Sequence, residues 1–220
     1  RLSPHHQLTV SASSVSGSSV IPPKAKQIRL VEHVFSNQLI PQRDAAASKY
    51  VRTQLSSDES GLAGGMLYMR DASLNFWDAL CRKERIMWAS GPPGTGKSSL
   101  AWIWACHVSN DKRVLWIHYD ASGLSKVVML NKLHARVWAS NANKLENDLN
   151  SFDNIDVVVV DGVTEELYKR NVVGLPLMWV SQSEDRTALF VTSSQIIIAE
   201  EQMNGWAQIF MPSWTIEEYL

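Results

Sequence analysis

Ile86-Met87-Trp88-Ala89-Ser90-Gly91-Pro92-Pro93-Gly94-Thr95-Gly96-Lys97-Ser98-Ser99-Leu100-Ala101-Trp102-Ile103-Trp104 is the stretch on which the reading of this chain turns. Residues 86–89 form a short apolar strand that runs straight into a glycine-rich bend. From Lys97 to Val108 the residues are apolar nearly all round, as in a helix packed deeply against a sheet. The bend between them, Gly91 to Ser98, has the spacing G-x-x-x-x-G-K-[ST]. Its glycines allow backbone angles closed to other residues, so that N–H groups turn toward one point. A helix starting near Lys97 aims the positive end of its dipole at that point. The bend suits a polyphosphate. On this reading Gly91, Pro92, Pro93, Gly94, Thr95, Gly96, Lys97, Ser98 and Ser99 line the phosphates. Lys97 reaches the β- and γ-phosphates, Ser98 ligates Mg²⁺ and Ser99 donates to the α-phosphate. The alternative is a glycine turn with no ligand, for which the flanking strand and helix have no need.

Outward from the bend, strands alternate with helices. Val114–Ile117 reads as a second strand, and Val127–Leu130 as a further hairpin strand. Leu145, Leu149 and Phe152 have helical spacing. Ile155–Val160 is a continuous β-branched run, the mark of a strand buried on both faces. Thr164–Val180 is mainly helical, weakened at Gly174 and Pro176. Ala188–Thr192 and Gln208–Met211 complete the strands, and Ser73–Leu80 is a helix before the first. Thr215 and Glu218 have capping-box spacing, so a helix begins there. The expected fold is α/β: a P-loop NTPase, AAA+/STAND-like, with a parallel sheet of about five strands and flanking helices.

Val157-Val158-Val159-Val160-Asp161 ends a buried strand in a carboxylate. Ligands of open parallel sheets lie beyond the carboxyl ends of the strands. Asp161 is therefore delivered to the rim that carries the bend, where it would hold Mg²⁺, mostly through water. Many ATPases of this type place Glu directly after this Asp to activate water; here Gly162 follows. Glu165 and Glu166 are candidate substitutes, although an acidic first helical turn is common for dipole reasons alone. Ser193 and Ser194, at the end of the 188–192 strand, are candidates for sensing the γ-phosphate, with a simple strand-to-loop turn as the alternative. Arg170 and Arg186 are candidate arginine fingers. The guanine-reading Asn-Lys-x-Asp is absent; Asn143-Lys144-Leu145-Glu146 ends in Glu and comes too early, so adenine is favoured.

The 220 residues carry a formal net charge of -1, which gives no electrostatic bias toward nucleic acid or membrane. No apolar run is long enough to span a bilayer. Cys81 and Cys106 read as reduced core cysteines. The nine tryptophans are more than an average share, and Trp88, Trp102, Trp104, Trp116 and Trp179 fall on expected core elements. Core packing accounts for them, because no interleaving of aromatic and basic residues points to base stacking. Residues 1–65 read as a Ser/Pro-containing linker or tail, partly disordered, with a possible short helix around Ile28–Phe35. Residues 66–220 read as the NTPase domain. The chain starts at Arg1 and stops one turn into its last expected helix, as a fragment of a longer protein would.

Residues 88–104, Val158-Val159-Val160-Asp161-Gly162, Val191-Thr192-Ser193-Ser194 and Ser213-Trp214-Thr215-Ile216-Glu217-Glu218-Tyr219-Leu220 together resemble the P-loop ATPase module of Crinkler-type effectors and their retrotransposon-hot-spot relatives. Tyr68-Met69-Arg70 is similar to that family's lead-in to the domain. The resemblance spans about residues 66–220. It implies a modular, secreted effector acting in the host cell, with the nucleus as its site. A header would precede this module and a toxin-like domain would follow. It also makes Asp161-Gly162 a family habit. The function it implies is Mg²⁺-dependent ATP binding with slow hydrolysis that regulates the attached effector domain. The alternative is a nucleotide-binding scaffold with little or no hydrolysis; a small-molecule kinase is weaker, for want of a lid or acceptor motif. Host proteins or the effector domain are the expected partners. The oligomeric state is left open.

Overall fold

The computed structural model describes residues 29–32, 50–53, 65–82, 84–120, 122–132, 134–150, 154–192 and 204–219. The strands among them are β1 Arg29–Glu32, β2 Tyr50–Thr53, β3 Gly65–Tyr68, β4 Ile86–Ser90, β5 Val114–Tyr119, β6 Leu124–Asn131, β7 His134–Asn141, β8 Val157–Asp161, β9 Thr187–Val191 and β10 Ala207–Phe210. The helices are α1 Asp71–Leu80, α2 Lys97–Val108, α3 Leu145–Asn150, α4 Glu165–Lys169, α5 Gly174–Ser181 and α6 Ile216–Tyr219.

Eight strands form one mixed sheet in the order β1-β7-β6-β5-β8-β9-β4-β10. Its parallel part is the five strands β5-β8-β9-β4-β10, in agreement with the alternation read in the sequence. An antiparallel wing, β6, β7 and β1, extends it beyond β5. The wing is larger than the single hairpin strand expected. His134–Asn141 buries Ala135 on one face, and Trp138 and Ser140 on the other. Arg29–Glu32 does not follow the helical reading of Ile28–Phe35: it is a strand paired with β7. Tyr50–Thr53 pairs with Gly65–Tyr68 in a separate ribbon. Strands thus occur on both sides of residue 66. The serine-rich residues 1–27, and Phe152, lie outside the described residues.

The valine strand shows how the core is built. Side chains alternate across a sheet. Val157 and Val159 enter one core layer with Phe76, Leu100, Trp102 and Ile103 of α1 and α2. Val158 and Val160 enter the other, with Leu145, Leu167 and Trp179 of α3, α4 and α5. All four valines are at most 1% exposed. Each such burial contributes about 1.5–3 kcal/mol. Trp102 and Trp116 meet edge to face, with centroids 5.0 Å apart. The five tryptophans assigned to packing are all buried. Cys106 is buried as expected, whereas Cys81, at the end of α1, is exposed.

The same alternation aims Asp161 and His118. Asp161 shares a face with Val157 and Val159, and His118 shares one with Val114 and Trp116, so both point toward α2. They are register partners on adjacent strands. The chain then leaves β8 through Gly162, at φ +79°, where a Cβ would stand 2.3 Å from the Tyr119 carbonyl oxygen. Only glycine fits this exit, which explains why no Glu follows Asp161. We expect Gly162→Ala to lose about 2–4 kcal/mol through the left-handed angle and the clash together. Urea unfolding checks this: the midpoint falls while the slope stays the same.

Candidate functional site

The bend is held at both ends by neighbouring backbone. Gly91 (φ +145°) packs so closely on the residue after β10 that a Cβ would lie 2.1 Å from the Met211 carbonyl oxygen. Met211 N–H donates to Ser90 O at 2.9 Å. Gly96, at φ +90°, is the residue before α2, and Leu100 N–H closes the first helical bond onto its carbonyl at 2.9 Å. The first-turn amides of Lys97, Ser98 and Ser99 have no carbonyl one turn earlier in the helix. A methyl on Gly94 (φ +77°) would meet nothing within 4 Å, so the apex of the bend is open.

Five side chains converge at the mouth of the bend. The Lys97 ammonium folds back and donates to Pro92 O at 2.6 Å and to Thr95 Oγ1 at 3.1 Å. Thr95 Oγ1 itself donates to Pro92 O at 2.9 Å. Ser98 Oγ donates to Asp161 Oδ1 at 2.7 Å, across 63 residues of sequence. His118 Nδ1 meets the other oxygen, Asp161 Oδ2, at 2.7 Å. Asp161 is fully buried, and the His118 side chain keeps 20% of its surface exposed. Burial pushes the Lys97 ammonium down to about pKa 8, with Asp161 pulling the other way.

The structure therefore brings Lys97, Ser98 and Asp161 together, as the sequence leads one to expect, and adds His118. No motif marks His118. Its place follows only from pairing β5 with β8 in register, which the sequence does not state. Glu165 turns to Lys169 instead, as an exposed i,i+4 pair at 2.7 Å. Glu166 is exposed in the same first turn, which Thr164 caps through Leu167 N–H. Among the described residues no second carboxylate contacts Ser98 or Asp161. Ser193 and Ser194 lie outside the described residues. Thr192, just before them, is buried with its hydroxyl on Val163 O at 2.8 Å.

Arg186 does not face the bend of its own chain. It precedes β9, at the opposite end of the parallel strands, with its guanidinium 4.6 Å above the Trp179 ring and bonded to Trp179 O. A cleft lined by Asn154, Trp179 and Arg186, and another lined by Cys81, Arg85 and Glu184, also open at that end, away from the convergent groups. Arg170 is exposed beside Gly123, in the turn that follows β5.

One hydroxyl and one carboxylate, already in contact, are few ligands for a cation. Among the described residues no group of three or more His, Cys, Asp or Glu could form a metal cage. Mg²⁺ is commonly held this way, by one or two protein oxygens plus water and phosphate oxygens, so the residues fit. No family model and no curated protein sequence matches the chain. No helix among the described residues is long and apolar enough to cross a membrane.

The buried ammonium has a measurable signature in the ligand-free protein. The ordinary lysine value is 10.5, against about 8 for Lys97 in the fold. Between these values the unfolded chain binds more protons than the folded one, so stability rises with pH. Below pH 8 the full penalty of the buried charge is present. Urea unfolding of wild type and Lys97→Met at pH 7.5 and 9.5 isolates the effect. The wild-type midpoint should rise relative to the variant's at the higher pH; an unchanged difference would contradict the buried placement.

Proposed function

We propose that this chain is a Mg²⁺-dependent ATP-binding module of the P-loop type, AAA+/STAND-like, with slow ATP hydrolysis that regulates an attached effector domain. The observation that carries this reading is the 2.7 Å contact of Ser98 with Asp161 at the open mouth of a glycine bend. A hydroxyl from the helix start and a carboxylate from a distant strand meet where a phosphate-bound cation would lie. The strand order supports it: β9 stands between β4 and β8, so the strand expected to end in γ-phosphate-sensing residues lies beside both the bend and Asp161. The resemblance to Crinkler-type modules points the same way, and from it alone come the proposals of secretion, action in the host nucleus and host-protein partners.

The parts divide the work. The bend's backbone amides and the first turn of α2 receive the phosphate oxygens. Lys97 leaves Pro92 O and Thr95 Oγ1 for the β- and γ-phosphates. This move exchanges a neutral carbonyl for a charged partner and favours binding. Ser98 and Asp161 hold Mg²⁺, Asp161 mostly through water. When bound, Mg²⁺ neutralises charge on the phosphates and polarises them. His118 fixes the orientation of the Asp161 carboxylate through Oδ2.

A second reading, a nucleotide-bound scaffold that does not turn over, is favoured by one observation. Gly162 leaves no room for an adjacent Glu, and Glu165 is paired with Lys169. Calorimetric titration with ATP, with and without Mg²⁺, together with phosphate release, tests both readings. Lys97→Ala is expected to weaken binding at least about tenfold, the loss of one charge-assisted contact. Asp161→Asn should weaken binding in Mg²⁺ far more than in its absence. Equal losses with and without metal would refute the role of Asp161. A wild-type turnover no faster than that of Lys97→Ala, with ATP still bound, would leave the scaffold.

A further inference from the structure

Gly162 leaves the end of β8 without a carboxylate to orient water. The other carboxylates near that end do not supply one. Glu165 is paired with Lys169, and Glu166 is exposed in the same helical turn. Asp120, just past β5, belongs to its own turn. Its Oδ1 accepts from Ser122 N–H at 2.9 Å, Ser122 Oγ at 2.6 Å and Leu124 N–H at 3.1 Å. Among the described residues, the group that stands beside Asp161 from the next strand is His118.

His118 is an exception within β5. Val114 to Ile117 and Tyr119 are buried, and His118 is half-buried at the register position of Asp161. Its ring is engaged at one end. Nδ1 meets Asp161 Oδ2 at 2.7 Å, while the side chain keeps 20% of its surface exposed, against 1% for Asp161. A carboxylate only accepts, so in the neutral ring Nδ1 carries the proton and Nε2 the lone pair. Among the described residues nothing donates to Nε2. To hold Asp161 alone, any donor of the right length would serve. The imidazole adds a second nitrogen, one ring away from the carboxylate that Ser98 also touches.

We infer that His118 is the residue that orients the attacking water, accepting a hydrogen bond from it at Nε2. The inference rests on the proposed ATPase reading and adds to it the water-orienting group missing after Asp161. With one hydrogen on Nε2, the water turns a lone pair of its oxygen toward the γ-phosphorus. That oxygen bonds to phosphorus, and the bond to the bridging oxygen breaks with its electron pair leaving on ADP. One water proton passes to an oxygen of the phosphoryl group and the other stays on the entering oxygen, so the released phosphate carries both. Nε2 keeps its lone pair throughout. Asp161 fixes the tautomer of the ring, and the ring fixes the direction of the water. A neutral acceptor polarises water less than a carboxylate does, in keeping with slow turnover.

His118→Asn separates the two tasks of the ring. Its side-chain amide can donate to Asp161 Oδ2 but has nothing where Nε2 stands. ATP affinity with Mg²⁺, by calorimetry, should stay close to wild type, while single-turnover phosphate release falls about 100-fold, the effect of a misplaced reactant. His118→Ala should lose affinity as well as rate; added imidazole should restore part of its rate and none of that of His118→Asn. Two-bond ¹H–¹⁵N spectra of the ligand-free wild type should show the neutral His118 ring protonated at Nδ1 and bare at Nε2. A ring proton on Nε2 instead, or phosphate release by His118→Asn equal to wild type, overturns the inference and leaves the phosphate site standing. Equal losses of rate and affinity in His118→Asn, with no imidazole rescue of His118→Ala, mark a purely structural role and overturn it too. ATP bound by wild type with turnover no faster than in Lys97→Ala also overturns it and leaves the scaffold. ATP that does not bind wild type, or binds Lys97→Ala equally well, overturns the phosphate site and this inference with it. Should His118→Asn fail to fold, as judged by circular dichroism, the wild-type tautomer and the imidazole rescue of His118→Ala decide.

Discussion

The contact between Ser98 and Asp161 is the joint of this molecule. It ties the first turn of the helix after the glycine bend to the end of a strand two positions away in the sheet. Both partners are held from behind. Ser98 belongs to a helix whose residues from Leu100 to Cys106 are buried. Asp161 ends four valines packed in both core layers. A fully buried carboxylate is tolerated only when its oxygens are bonded, and here Ser98 takes one and His118 the other. The bend, the helix, the valine strand and the strand beside it are positioned with respect to that one carboxylate.

Glycine does different work at different points of the site. At Gly91 and Gly162 it allows two backbones to approach where any side chain would collide with a carbonyl oxygen. At Gly94 it leaves the apex of the bend open. The residue after Asp161 is thus dictated by the packing of β8 on β5, and no carboxylate stands there. What stands nearest instead is an imidazole on the adjacent strand.

Much of this was legible in the residues, for identifiable reasons. The span Lys97–Val108 and the five parallel strands follow from apolar runs bounded by glycine and polar turns, which are local signals. Asp161 is legible because a β-branched run buried on both faces carries its terminal carboxylate to the rim of the sheet, where the bend also lies. The capping box at Thr215 and Glu218 is visible as spacing and present as hydrogen bonds. The antiparallel wing was only partly legible. In β7 His134 and Arg136 interrupt the apolar pattern because they are exposed at the start of the strand, on the face that buries Trp138 and Ser140 further along. Arg29–Glu32 resembled part of a helix because its apolar residues continue toward Phe35, while its actual partner lies a hundred residues away. His118 could not be read at all. Its place depends on which strands become neighbours, and composition or spacing does not encode that.

The central claim is that the bend's backbone amides are the receptor for phosphate. Amide ¹H–¹⁵N spectra of the 24.7 kDa protein, recorded during titration with Mg²⁺-ATP, test it most directly. The account predicts the largest shifts at Gly94, Gly96, Lys97 and Ser98, with smaller ones at His118 and Gly162, all saturating together. Shifts confined to other surfaces, or no saturable shift in the bend, would contradict it.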